Sequence, residues 1–172
     1  MKLRKLDLKD SAFMLEWMHD ESVVEHLQAN FKEKSLEDCQ KFIISSADTR
    51  KNLNLAIVDN EDNYMGTVSL KNIENNEAEF AITIRKVAMG NGYSAYGMKE
   101  IIKIGFEELK LNRIFWCVNP INARAVKFYD KNGYKRVNMK GTEVKGYSQS
   151  QIDEYLWYEV NKEDYSNIKN EL

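Results

Sequence analysis

The run Gly90-Asn91-Gly92-Tyr93-Ser94-Ala95 holds the residue types that most directly suggest chemistry. It falls between a strand-like and a helix-like stretch, where unpaired backbone N–H groups and the positive helix end attract phosphate. A plain strand-to-helix turn would use the same glycines for their dihedral freedom alone. The run also fits the GxGxxA dinucleotide fingerprint. That fingerprint expects an acid at the end of the following strand to hold ribose hydroxyls, whereas here the strand ends in Val118-Asn119-Pro120. The unit also lies mid-chain, where dinucleotide-binding domains usually open with it.

Other chemistry is restricted by spacing. His19 and His26 are seven apart, off the i, i+4 spacing that sets two imidazoles on one helical face, and no CxxC pair exists. No metal site is expected. Cys117 would need a basic partner to act as a nucleophile, and neither histidine can be set beside it from sequence, so a buried strand cysteine is the expectation.

The elements that must position these groups follow from periodicity and turn signals. Lys2 to Leu6 alternates like an edge strand, helical spacing runs from Leu8 through Phe13 and Trp17, and Ser35 caps another helix with an acidic first turn. Leu53 to Val58, Tyr64 to Ile73 and Glu77 to Ile84 read as an antiparallel meander, the last two strands joined by Asn75-Asn76. After Gly92 the period changes: Met98, Ile101, Ile102, Gly105 and Leu109 mark a helix. Arg113 to Val118 is a strand apolar on both faces, as expected under helices on both sides. Asn122 caps a helix that ends at Asn132 with Gly133 in a left-handed turn, and Tyr134 to Val137 and Glu154 to Val160 supply the last strands. The strand-helix-strand crossover makes the strands ending at Ile84 and Val118 parallel, with ligands at their carboxyl ends. Alternation puts Glu79 on one face with Glu77, Ala81 and Thr83, opposite Phe80, Ile82 and Ile84. Residues 1–172 are expected to form one α/β domain, a mixed central sheet of about seven strands with helices on both faces.

Composition agrees. The chain has 172 residues, one Pro and 43% hydrophobic content, enough for one core without disulfides, so Cys39 and Cys117 need no bridge. A formal net charge of -2 lacks the basic footprint of a nucleic-acid domain. No window approaches about 18 consecutive apolar residues, and acids interrupt the first twenty residues where a signal core would stand. A cytoplasmic protein without membrane or nucleic-acid partners is expected.

The stretch from Ala78 to Gly133 resembles the GNAT superfamily of N-acetyltransferases, most closely its branch of ribosomal-protein N-terminal and polyamine acetyltransferases. The resemblance rests on AEFAITI, then GNGYSA, a helix ending GFEELKLNRI, and NPINARAVKFYDKNGY, in that order and spacing. It implies a GNAT-like domain with acetyl-CoA as cosubstrate. In the family pattern Gln/Arg-x-x-Gly-x-Gly/Ala, backbone amides cradle the coenzyme pyrophosphate, and here it reads Met89-Gly90-Asn91-Gly92-Tyr93-Ser94, followed by Ala95. Gly92 matches; Met89 and Ser94 depart, and the Ser94 hydroxyl is a possible phosphate donor. The resemblance further implies that the backbone of Ile82, Thr83 and Ile84 pairs with the pantetheine arm like an added strand. Asn122 would contact the same arm, although it suffices as an N-cap.

By the same resemblance Tyr129 would protonate the departing thiolate, a role set against ordinary packing on the Ala125 and Val126 face. Glu79 would remove a proton from the acceptor ammonium, set against a solvated strand face. A backbone N–H near Ile82 to Ile84 would stabilise the oxyanion, with no acyl-enzyme formed. The acceptor site is expected between the N-terminal helices and the connection from Lys140 to Ile152. Glu16, Asp20, Glu21 and Glu25 lie at near-helical intervals and could draw a polyamine, or simply form a charged outer face. A peptide N-terminus, an amino-sugar nucleotide or another amine remain open as acceptors. A non-catalytic acyl-CoA-binding or regulatory module is the alternative from another class. A homo-oligomer is expected from the family, with Trp157 or Tyr158 either at an interface or in the core.

Overall fold

The structure, a computed structural model, describes residues 1–27 and 29–170. Its strands are β1 (Lys2–Lys5), β2 (Leu53–Val58), β3 (Tyr64–Glu74), β4 (Glu77–Ile84), β5 (Arg113–Val118), β6 (Lys135–Val137) and β7 (Leu156–Asn161). They form one sheet in the order β1-β2-β3-β4-β5-β7-β6. Every neighbouring pair is antiparallel except β4 and β5. The expected α/β class, mixed sheet and parallel crossover are what is found.

The helices are α1 (Ser11–Met18), α2 (Glu21–Val24), α3 (Leu36–Ser45), α4 (Tyr93–Glu107), α5 (Ala123–Lys131), α6 (Gln149–Glu154) and α7 (Lys162–Asn170). They cover both faces because the strands alternate. Ile57, Leu70, Phe80, Ile114, Trp116 and Tyr158 face a large core shared with α4 and α5. On the opposite face the apolar residues form two separate clusters: Ala56, Val58 and Tyr64 pack under α1 and α3, and Trp157 packs with Ile152 and Met139. Trp157 and Tyr158 are 2% and 0% exposed, so they belong to the core of this chain and not to an exposed interface.

Local chemistry sets the boundaries. Ser35 accepts from the Asp38 amide, and Asp38 answers to the Ser35 amide, a reciprocal cap that starts α3. Gly133, at φ +74°, ends α5 in the expected left-handed turn. The helical spacing after Leu8 does not continue past Trp17 and Met18. Asp20 accepts from the Ser22 amide and starts a new short helix, so the acids at 16, 20, 21 and 25 do not share one helical face. Among the described residues, no helix is long and apolar enough to cross a membrane.

Gly66 lies where β3 meets the end of β4, paired with Ile84. A methyl group there would stand 2.4 Å from the Thr83 carbonyl oxygen and 2.8 Å from Ile84 Cδ1. Backbone cannot swing aside as a side chain can, so Gly66→Ala should cost about 1–3 kcal/mol in urea unfolding. A change under about 0.5 kcal/mol would mean that the two strands separate easily there.

Candidate active site

Strands β4 and β5 pair only at Glu77/Arg113, Ala78/Ile114 and Glu79/Phe115. Beyond Glu79 they form no further ladder, which leaves a wedge between residues 80–84 and 116–118 inside the sheet. Both strands carry their unpaired edge into it, and an extended ligand can take up such backbone groups as an added strand does. Ile82, Thr83 and Ile84, singled out in the sequence, line the β4 side.

At the open end of the wedge stands the start of α4. Gly90 and Gly92 have φ values of +81° and +83°, and Gly92 is the N-cap with no side-chain capping bond. A fifteen-residue helix thus begins with the amides of Tyr93, Ser94 and Ala95 unclaimed by any cap, the condition that favours an anion. Asn91 instead turns its amide to the Val87 carbonyl at 3.3 Å. Across the wedge, the Arg124 guanidinium donates from Nη1 to the Met89 sulfur at 2.8 Å. Sequence inspection did not single out Arg124, since one arginine on an exposed helix start carries no signal. Asn122 caps α5 by accepting from the Ala125 amide at 3.1 Å, its structural role.

Tyr129, on α5, is 8% exposed and sits among aromatic rings, 5.4 Å from Trp116, 5.1 Å from Tyr158 and 5.4 Å from Phe128 between centroids. Burial, and then Tyr134, Cys117 and Tyr158 nearby, pushes its hydroxyl far above the usual phenol range. It therefore carries its proton at any physiological pH.

Glu79 lies where the wedge begins, on the face opposite the large core and between the two smaller clusters. It is 4% exposed, which corrects the alternative of a solvated strand face. Its carboxylate accepts from Lys71 Nζ at 2.9 Å, Asn72 Nδ2 at 3.4 Å and Tyr147 Oη at 2.5 Å. Lys71 is its direct cross-strand partner. Burial of such a carboxylate is tolerable only because these donors replace water. Tyr147 comes from the connection between β6 and α6, within the segment expected to border an acceptor. Burial, followed by Cys117 and Glu79, pushes its hydroxyl far up as well. Tyr147 was missed because nothing periodic marks its segment.

Two cavities flank this chain of contacts. One of about 620 Å³ has Lys71 in its wall and is lined from the end of α3, the segment leading into β2, the start of β2 and the second half of β3. The other, about 440 Å³, is bordered by Tyr147, Lys145, Gln149 and Ile152.

The remaining sequence candidates resolve individually. Glu16 accepts two hydrogen bonds from Arg85 Nη2, at Oε2 (2.7 Å) and at Oε1 (3.0 Å), and Glu21 pairs with Lys32 at 2.8 Å. Asp20 faces Lys86 at 3.7 Å, and Glu25 lies beside His26. Cys117 is half-buried, not fully buried as expected, because the wedge opens beside it, and it packs in the cluster with Tyr147 and not with a histidine. Cys39 is buried and reaches Met18 Sδ at 3.6 Å; no disulfide joins it to Cys117. Among the described residues, no group of three His, Cys, Asp or Glu side chains is placed to hold a metal.

Residues 1–135 match the model of the acetyltransferase (GNAT) domain family. A curated relative, the uncharacterized N-acetyltransferase p20 of Bacillus licheniformis, is 26% identical over 141 residues, 79% of each chain. The spermidine N-acetyltransferase of Vibrio cholerae, solved with CoA and spermine, superposes with a TM-score of 0.79 at 19% identity, over 96% of this chain and 98% of that one. A dodecameric structure of a spermidine N-acetyltransferase from the same organism gives 0.73 at 19% identity, over 97% and 96%. At such identities the superpositions establish shared fold.

Proposed function

The chain belongs to the acetyltransferase (GNAT) family, and on that premise we propose that it transfers an acetyl group from acetyl-CoA directly to a primary amine of a small molecule or peptide N-terminus. The observation that carries the proposal is the wedge itself: one end opens at an uncapped helix start and the other closes on a buried carboxylate. Acetyl-CoA would supply the activated acyl group as a thioester.

The chain's own groups divide the work. The amides of Tyr93, Ser94 and Ala95 bind phosphate oxygens, with the Ser94 hydroxyl beside them. Arg124 adds the cation that the methionine at position 89 cannot, since its guanidinium already reaches Met89. The unpaired edge of Ile82 to Ile84 orients the arm and offers an N–H for the oxyanion. Glu79 takes a proton from the acceptor ammonium, whose ordinary pKa near 10 otherwise keeps it unreactive at neutral pH. Tyr147 fixes the carboxylate by its bond to Oε1. Tyr129 holds at Oη the proton that a leaving thiolate needs. A homo-oligomer is part of the same proposal, supported by the dodecameric neighbour.

The test is thiol release from acetyl-CoA with a panel of polyamines, N-terminal peptides and amino-sugar nucleotides, alongside a thermal shift with coenzyme A. Release with at least one amine, together with stabilisation by the coenzyme, is expected. Absence of both would overturn the proposal. Arg124→Ala should weaken coenzyme A binding about tenfold by calorimetry, the scale of one lost charge-assisted contact to phosphate. Unchanged binding would exclude the guanidinium from the phosphate site.

A further inference from the structure

The larger cavity carries information about the acceptor that the fold does not. Its lining includes three cationic side chains, Arg50, Lys51 and Lys71, and one carboxylate, Asp48. Asp48 is consumed by Arg50, which donates from Nε at 2.9 Å and from Nη2 at 2.6 Å. Lys51 has no carboxylate partner among the described residues. Asn52 and Asn54 add polar side chains, and Phe42 gives one apolar wall. Lys71, in the same lining, has its ammonium 2.9 Å from the buried Glu79 carboxylate. Asn52 extends the connection, since its side-chain oxygen accepts from the Asn72 amide and Asn72 donates to Glu79.

We propose that the acceptor is an amine carrying an anionic group, carboxylate or phosphate, a few bonds from the reacting nitrogen. The inference rests on the acetyl-transfer reading of the same site. An amine approaching Glu79 competes with Lys71 for that carboxylate. In this cavity a dication would then set its second charge against Lys71 and Lys51, where the one lining carboxylate, Asp48, is already held by Arg50, and like charges brought together count against binding. An amine with an anion exchanges partners instead: its nitrogen takes Glu79, and its anion takes the released Lys71 together with Lys51. The linker between them lies along Phe42. The acids at 16, 20, 21 and 25 do not line this cavity, and Glu16, Asp20 and Glu21 face Arg85, Lys86 and Lys32 instead.

The experiment compares kcat/KM, with saturating acetyl-CoA, for 4-aminobutyrate, O-phosphoethanolamine, 1,4-diaminobutane and n-butylamine, in the wild type and in Lys51→Glu. At least one of the two anionic amines should exceed both others by about tenfold or more, and Lys51→Glu should shrink or invert that ratio. The better of the two identifies the anion. Turnover of 1,4-diaminobutane equal to or above that of both anionic amines, or a ratio untouched by Lys51→Glu, would overturn the inference while leaving acetyl transfer standing. Release from none of the four would also overturn the inference, while the transfer reading stands or falls separately on the wider amine panel and the coenzyme A thermal shift.

Discussion

Tyr129→Phe is expected to lower kcat for thiol release by about 10²-fold while leaving coenzyme A binding and the melting temperature near those of the wild type. Phenylalanine keeps the ring and hence the contacts with Trp116, Phe128 and Tyr158. The substitution removes one oxygen and its proton from a site where burial keeps the phenol protonated. A packing defect would appear as lost stability, and a lost proton donor appears as lost turnover alone. The two are separable by measuring kcat and a urea midpoint on the same preparation. A silent substitution would shift the weight to a binding module that kept the fold without the reaction, or to a different proton donor.

Glu79→Gln should reduce kcat/KM at neutral pH by about 10²–10⁴-fold, with the deficit shrinking as pH rises toward the acceptor's own pKa near 10. The sign follows from the proton. Below that pKa the amine arrives as an ammonium and needs a group to take its proton, whereas above it the neutral amine is already abundant and the carboxylate adds little. Glutamine preserves volume and can still accept from Lys71 and Tyr147, though with a weaker dipole in place of a charge. A uniform loss across the pH range, accompanied by a lower melting temperature, would assign Glu79 to architecture. Near-ultraviolet circular dichroism on the variant separates the cases, since Tyr147 and Trp157, 5.2 Å apart, would lose their fixed environment if the local structure loosened.

Much of the frame was legible because its signals are local. Leu53–Val58 and Glu77–Ile84 occupy stretches that strand patterning and turn residues mark, Arg113–Val118 is the run read as apolar on both faces, and Asn122 and Gly133 bracket α5 as a cap and a left-handed stop should. What stayed hidden is long-range register. A tight turn at Asn75-Asn76 with uninterrupted pairing would set Glu79 opposite Asn72 and Lys71 opposite Phe80. The hairpin instead slips by one residue between Lys71 and Glu74, with Asn72 at φ +51°, and Lys71 comes to face Glu79. That single bulge creates the ion pair at the centre of the site, and the residue string from 71 to 79 contains no mark that requires it. Tyr147 was hidden for a related reason: it reaches Glu79 across 68 positions of sequence from a segment without period. The short helix after it lies in a stretch expected only as connection and strand start, although Ser148 and Gln151 form a reciprocal cap at the spacing that marks a helix start. The break after Met18 depends on Asp20 choosing a local cap over helix continuation, a competition in which several outcomes lie close in energy.

Edge strands ordinarily lie at the rim of a sheet, where proteins shield them against unwanted pairing. Here the three-residue junction between β4 and β5 puts two edges in the middle of the sheet, so the protein carries an internal seam between a four-stranded and a three-stranded half. Amide hydrogens facing that seam exchange with solvent through small local openings, while those one bond away in the β3–β4 and β5–β7 ladders need larger ones. A ligand that bridges the seam turns two half-sheets into one continuous ladder, and the same amides then become as slow as their neighbours.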